Sequence, residues 1–252
     1  MYKIPANTLF IGQKLIYVPE CHSTNSLLSE FDNQSALPEG ATLITDHQTE
    51  GRGQRGNRWE TEPGMNLTFS ILLRPTFLEA KDLFQLNMAV ALAVADALRT
   101  MLSEPITLKW PNDILVNDKK IGGMLIESQL QGFLLSSSVI GIGINVNQQN
   151  FEYPTASSLR NFTGTCLDLN DTFLRLLESI EKEYLELRTR KVSVLKQRYL
   201  ASLYKFNELH RFEVGEENFT GAINDIDDDG RLCVVQQGTT RKFSFKEIKF
   251  LA

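Results

Sequence analysis

The stretch from residue 83 to 101 most constrains the fold. Leu83, Leu86, Val90, Val94, Ala97 and Met101 recur at steps of three and four, the spacing that lines one face of an α-helix. It predicts an amphipathic helix with its stripe turned to a core. Phe173, Leu177, Ile180, Tyr184 and Leu187 predict a second. Extended signals lie before and between them: NLTFSILLR, LKWPNDILV, then GGMLIESQL and FLLSSSVIGIGINV separated by a Gln131-Gly132 turn. The expected class is therefore α+β, with a mixed, mainly antiparallel sheet flanked by helices. From about Arg211 the texture changes to short apolar runs (FEV, FTGAI, RLCVV, KFSFKEIKFL) broken by GEEN, DDDG and QGTT. Close spacing of short strands predicts a small β-barrel of roughly 45 residues. The expected division is 1–208 for the main domain and 209–252 for the barrel.

Composition narrows the function. With 26 Lys+Arg against 31 Asp+Glu the net charge is −5, so no whole-chain basic field gathers nucleic acid. Cys21, Cys166 and Cys233 are far apart, with no CxxC pair, so neither a disulfide framework nor a zinc site is indicated and a reduced cytoplasm is expected. The N-terminus lacks a secretory pattern and no apolar run reaches membrane-spanning length. No membrane partner is expected.

Four stretches carry more polar and turn-forming residues than packing needs, each with a plain alternative. In CHSTNSLL, Ser23 or Thr24 can serve as an N-cap. In DHQTEGRGQRGNRW, glycines permit close approach of the backbone to a ligand and arginine pairs with phosphate in a fork; an exposed turn is the alternative. In LKWPNDILVNDKKIGGMLIE, Trp110-Pro111-Asn112-Asp113 reads equally as a turn and Lys119-Lys120 as a solvated pair. VIGIGINVN suits a buried strand whose glycines mark a close approach or bulge.

The stretches occur in a telling order: STN at 23–25, QTEGRGQRG at 48–56, KWPND at 109–113, KKIGG at 119–123 and GIGIN at 141–145. Over nearly the whole chain this resembles the biotin protein ligases, also called biotin–[acetyl-CoA carboxylase] ligases. The resemblance implies a class II aminoacyl-tRNA synthetase-like catalytic fold and a C-terminal SH3-like barrel. It implies an enzyme that uses ATP and Mg²⁺ to activate its substrate biotin as biotinyl-5′-AMP. The biotinyl group then passes to one lysine of a biotin carboxyl-carrier domain of a carboxylase. By resemblance, Ser23, Thr24, Asn25 and Gln48 face the ureido ring, with Gly122 and Gly123 packed against it. Arg52, Gly53 and Gln54 belong to a loop closing over the ligand, and Lys120 reaches the biotin carboxylate and the bridging oxygens. The nucleotide falls to Arg52, Arg55, Lys109, Asn112 and Lys120, with Asn145 reading the adenine edge. Trp59 and Trp110 form apolar walls near the nucleotide or tail, Trp59 counted with the nucleotide set, or else are core side chains. Asp113 orients the acceptor lysine's proton or acts through Mg²⁺, so the catalytic set is Arg52, Lys109, Asp113 and Lys120.

Two departures stand out. Gln54 replaces an arginine of many relatives, for which Arg55 or Arg58 would have to substitute. Only 22 residues precede STN, too few for the DNA-binding domain of bifunctional relatives, so no DNA partner or repressor role is expected. The chain also ends at Phe250-Leu251-Ala252, without a basic tail. Homodimerisation is left open. The rival readings are a lipoate–protein ligase, a nucleic-acid-binding module and a carrier-binding relative without catalysis.

Overall fold

The computed structural model describes residues 2–189 and 192–251; the side chain of Arg55 and residue Ala252 lie outside the described set. Seven strands form the main sheet: β1 (Leu15–Cys21), β2 (Thr42–Gln48), β3 (Leu67–Leu73), β4 (Ile106–Lys109), β5 (Asp113–Val116), β6 (Lys119–Gln131) and β7 (Leu134–Ile144). Their order is β1-β2-β3-β7-β6-β5-β4. Only β1 and β2 pair in parallel within it, as the mainly antiparallel expectation requires. KWPND forms the end of β4, a turn and the start of β5, as the turn reading of this stretch expects.

The centre of the sheet is buried on both faces, and all seven residues of β3 are buried there. Ile44, Ile71 and Ile140 face the larger core, whereas Leu43, Leu72 and Val139 face a smaller one beneath α1 (Thr24–Ser35). Alternate side chains of one strand thus enter different layers. The larger core is covered by α2 (Leu83–Arg99), with α3 (Leu159–Thr163), α4 (Leu169–Leu187) and α5 (Val192–Ala201) completing the helical complement.

α2 differs from its expected single stripe. Met88, Ala89, Ala91, Leu92, Ala93 and Ala95 are buried as well, because the helix packs against α4, α5 and β4 together. Its alanines permit that approach, and Ser179 of α4 donates to the Ala93 carbonyl at 2.7 Å. Met101 lies beyond the helix end. α4 follows the expected pattern: Phe173, Leu177, Ile180, Tyr184 and Leu187 are all buried.

The second sheet comprises β8 (Leu209–Val214), β9 (Glu217–Ile226), β10 (Leu232–Gln236), β11 (Thr239–Phe243) and β12 (Lys249–Phe250). Its order, β11-β10-β9-β8-β12, leaves β11 and β12 as edges. Pairing among the described residues is therefore open, where a barrel was expected, because the two-residue β12 pairs with β8 alone. Phe212, Phe219 and Phe243 belong to the same apolar core as α2 and the main sheet. The Phe245 ring stands 5.2 Å from that of Trp110, and the Trp110 indole donates to the Gly230 carbonyl at 3.0 Å. No helix among the described residues is long and apolar enough to cross a membrane.

One buried carboxylate ties down the chain before β1. Glu181, 4% exposed, accepts from the backbone N–H groups of Leu9, Phe10 and Ile11 at 2.6, 2.8 and 2.8 Å. These donors replace the water that the charge loses on burial. Glu181→Ala leaves them unpaired and is expected to lower stability by about 2–4 kcal/mol, read as a shifted midpoint in urea denaturation. A wild-type midpoint would refute the anchoring role.

Candidate active site

Strand register decides which side chains meet. Gly141 and Gly143 of β7 lie on the same sheet face as Val139, and opposite them on β3 stand Ser70 and Thr68. On the other side, Gly123 and Leu125 of β6 pair with Gly143 and Gly141, and Asp113 of β5 pairs with Gly123. Where α1 stops covering this face, a cavity of about 540 Å³ opens, lined by Thr68, Asp113, Gly123, Leu125, Gly141 and Gly143.

The β1–α1 junction supplies its hydroxyl and amide wall. Ser23 occupies the N-cap position, but its hydroxyl makes no capping bond; it lines the cavity, 4% exposed. Gln48, the last residue of β2, accepts from the Thr24 N–H at 2.7 Å and the Thr24 hydroxyl at 3.1 Å. Asn25 Nδ2 donates to the Leu125 carbonyl at 3.2 Å and Glu127 Oε2 at 2.8 Å. The Ser70 hydroxyl lies 2.6 Å from Asn25 Oδ1 and 2.7 Å from Thr24 Oγ1. Both Asn25 amide hydrogens are thus engaged, and its oxygen is within hydrogen-bond distance of the Ser70 hydroxyl.

The glycines of GIGIN mark close approaches. A Cβ on Gly141 would sit 2.4 Å from Asn25 Oδ1, and one on Gly143 2.4 Å from the Trp59 ring. Trp59 Nε1 is buried without a hydrogen-bond partner among the described residues, a donor facing a site where a ligand could satisfy it. The loop carrying Trp59 closes on itself: Gly53 N donates to the Asn57 carbonyl at 2.7 Å and Trp59 N to the Gly51 carbonyl at 2.9 Å. Arg52, Gly53, Gln54, Asn57 and Arg58 of this loop border the cavity.

Cations and one carboxylate gather on the β4–β6 side. Lys120 Nζ pairs with Asp113 Oδ1 at 2.6 Å and lies 5.7 Å from the Trp59 ring centroid. Lys109 Nζ sits 4.8 Å from the Phe250 centroid and 5.8 Å from that of Tyr204. Burial pushes the Lys109 ammonium below the ordinary lysine range; Asp113 opposes this and Lys120 adds to it. Asn112 turns inward, donating to the Met124 carbonyl. Trp110 lines the cavity while packing in the core, so its two readings are compatible.

Two expected residues stand apart. Gly122 packs β6 on β7, where a Cβ would meet Ile144 at 2.7 Å. The Asn145 amide donates to the Ser157 carbonyl at 3.0 Å, and neither residue lines the cavity. The Arg55 side chain lies outside the described residues. Residues not singled out from sequence include Thr68, Lys246, Ile248, Lys249 and Phe250, which line the cavity, and Ser70 behind it. The alternation L-T-F-S-I in β3 signals Thr68 and Ser70, whereas nothing local marks the C-terminal set.

Comparison with known proteins agrees with this geometry. The Biotin/lipoate A/B protein ligase family matches residues 17–145, more than half of the chain. The bifunctional ligase/repressor BirA of Bacillus spizizenii is 32% identical over 247 residues, spanning 96% of this chain and 75% of the relative. The chain belongs to the biotin/lipoate A/B protein ligase family. Another relative in that family, the biotin–[acetyl-CoA-carboxylase] ligase of Mycobacterium tuberculosis, is 32% identical over 90% of this chain and 85% of its own. The biotin protein ligase of Aquifex aeolicus, solved in complex with biotin and ATP, superposes with a TM-score of 0.79 at 28% identity, covering 95% and 99% of the two chains.

The contact between Gly143 and Trp59 is open to test. Gly143→Ala is expected to push the indole toward solvent and red-shift the tryptophan emission, since the other tryptophan, Trp110, stays buried. An unshifted spectrum would refute the packing.

Proposed function

We propose that this ligase-family chain activates biotin with ATP to biotinyl-5′-AMP and transfers the biotinyl group to a lysine of a biotin carboxyl-carrier domain. One observation carries the reading: a single cavity joins a hydroxyl and amide wall from the β1 and β2 side to Lys109, Lys120 and Arg52. The wall complements a ureido group, which both donates and accepts hydrogen bonds, and apolar Trp59 and Leu125 suit the bicycle and tail. The cations suit two anions that must meet, a carboxylate and a triphosphate.

In the first step the biotin carboxylate attacks the α-phosphorus and pyrophosphate leaves. Lys120 lies where it can neutralise both reacting groups, and Lys109, with Arg52 in the loop, takes the phosphates. Asp113 is the carboxylate among the described lining residues, and no group of three potential metal ligands occurs among the described residues. That donor set fits a Mg²⁺ carried mainly by phosphates and water, with Asp113 the side chain to hold it. When bound, the ion neutralises phosphate charge. In the second step the acceptor amine attacks the acyl carbonyl and AMP leaves. That amine must lose its proton, and Asp113 is placed to take or orient it. The self-closed loop shields the mixed anhydride from water. We read residues 1–208 as the catalytic domain and 209–252 as an opened SH3-like unit whose Lys246, Ile248, Lys249 and Phe250 brace the nucleotide end. Asn145 is assigned a supporting role, holding the end of β7 to Ser157.

Pyrophosphate release with ATP and biotin, lipoate or neither acid tests the activity, followed by mass analysis of an added carrier domain. Biotin-dependent release and one biotinyl increment on the carrier are expected; release with lipoate alone would overturn the substrate. Lys120→Ala is expected to slow release by at least about a hundredfold with unchanged circular dichroism. Asp113→Asn should slow transfer from preformed adenylate by a similar factor, and an unchanged transfer rate rules out the base role. Because the Lys109 pKa is lowered, the charge that meets phosphate is lost on raising pH earlier than for an ordinary lysine. KM for ATP should rise along that limb, and Lys109→Arg should move the limb to higher pH.

A further inference from the structure

Glu127 lies on β6 beyond the cavity wall, on the same face as Leu125. Its Oε2 is shared by two donors, Asn25 Nδ2 at 2.8 Å and Arg52 Nη2 at 3.2 Å, and the same Nη2 donates to Ser26 Oγ at 2.9 Å. A guanidinium grips phosphate with paired N–H groups along either of two edges, and both edges include Nη2. With both Nη2 hydrogens engaged, Arg52 has no complete edge to offer. Glu127 does not line the main cavity; it lines a second one of about 530 Å³ that shares Arg52, Gly53, Asn57, Arg58 and Leu125 with the first. The contact therefore ties the loop arginine where the two cavities meet.

We propose that Glu127 is a positioning residue that holds Arg52 and competes with the nucleotide phosphate for it. This rests on the adenylate reading given to Arg52 above. When the guanidinium turns to phosphate, Oε2 is left to Asn25 alone, so the amide facing Gly141 keeps its orientation while the loop moves. One carboxylate thus serves both the moving cation and the fixed wall.

The test compares wild type with Glu127→Gln and Glu127→Ala by two measurements without turnover. The first is tryptic cleavage of the ligand-free protein at the loop arginines; the second is equilibrium binding of ATP, and separately of biotin. Glu127→Gln keeps a carbonyl for Asn25 but removes the charge that holds Arg52. It is expected to speed cleavage in the 51–59 loop, with other sites unchanged, to tighten ATP binding about two- to fivefold, the scale of an exposed ion pair, and to leave biotin affinity within about twofold. Glu127→Ala should act alike on cleavage and ATP but weaken biotin binding, because Asn25 loses an acceptor. Loop cleavage of Glu127→Gln at the wild-type rate, or weaker ATP binding by it, overturns the proposal. If wild type binds no ATP, the adenylate reading fails on that ground, and the cleavage rates still decide whether Glu127 parks Arg52.

Discussion

β7 carries the constraint on which the rest of the structure depends. Its residues alternate between isoleucines at 140, 142 and 144, in the larger core, and glycines at 141 and 143 on the other face. A strand must send neighbouring side chains to opposite faces, so one segment fills the core and clears space for a site. A methyl group at either glycine would collide with Asn25 or Trp59. The isoleucine face anchors the strand while the glycine face lets two site side chains lie flat on the backbone.

Around that strand, charge and hydrogen bonding are arranged by side. The end of β2, the start of α1 and β3 bring short polar groups that hold one another through Gln48, Thr24, Asn25 and Ser70. Strands β4 to β6 bring the cations, with Asp113 moderating Lys120 at 2.6 Å and Phe250 lying under the Lys109 ammonium. Polar groups already paired within the wall have less reorganisation to undergo when a ligand arrives. The second sheet adds its last strand to this end, and its shared core with α2 holds that strand in place.

Much of this was legible in the chain. α4 and the β6–β7 hairpin follow from periodicity and turn chemistry, since a local repeat needs only one covered face to express itself, although the turn is Gly132-Phe133 and Gln131 still belongs to β6. α2 was legible as a helix but not as an enclosed one, because periodicity reports one favoured face and not how many neighbours close over the others. Ser23, Thr24, Gln48, Arg52, Lys109, Asp113 and Lys120 were legible through ordered motifs and do line one cavity. Asn145 and Gly122 belong to the same motifs but serve the strand pairing beside the cavity. A motif reports proximity along the chain, and strand register sorts its members into those that face the ligand and those that hold the strand.

By itself the sequence determined the helices α2 and α4, the alternation of small and branched residues in β7, and the kinds of groups available for chemistry, because these depend on spacing within one segment. The tertiary structure alone decided that Phe250 would lie under Lys109, that Trp110 would bond to Gly230, and that one oxygen of Glu127 would hold both Asn25 and Arg52. Those contacts join residues from 75 to 141 positions apart. Closing such separations needs the whole core, and no local pattern encodes which side chains will then meet.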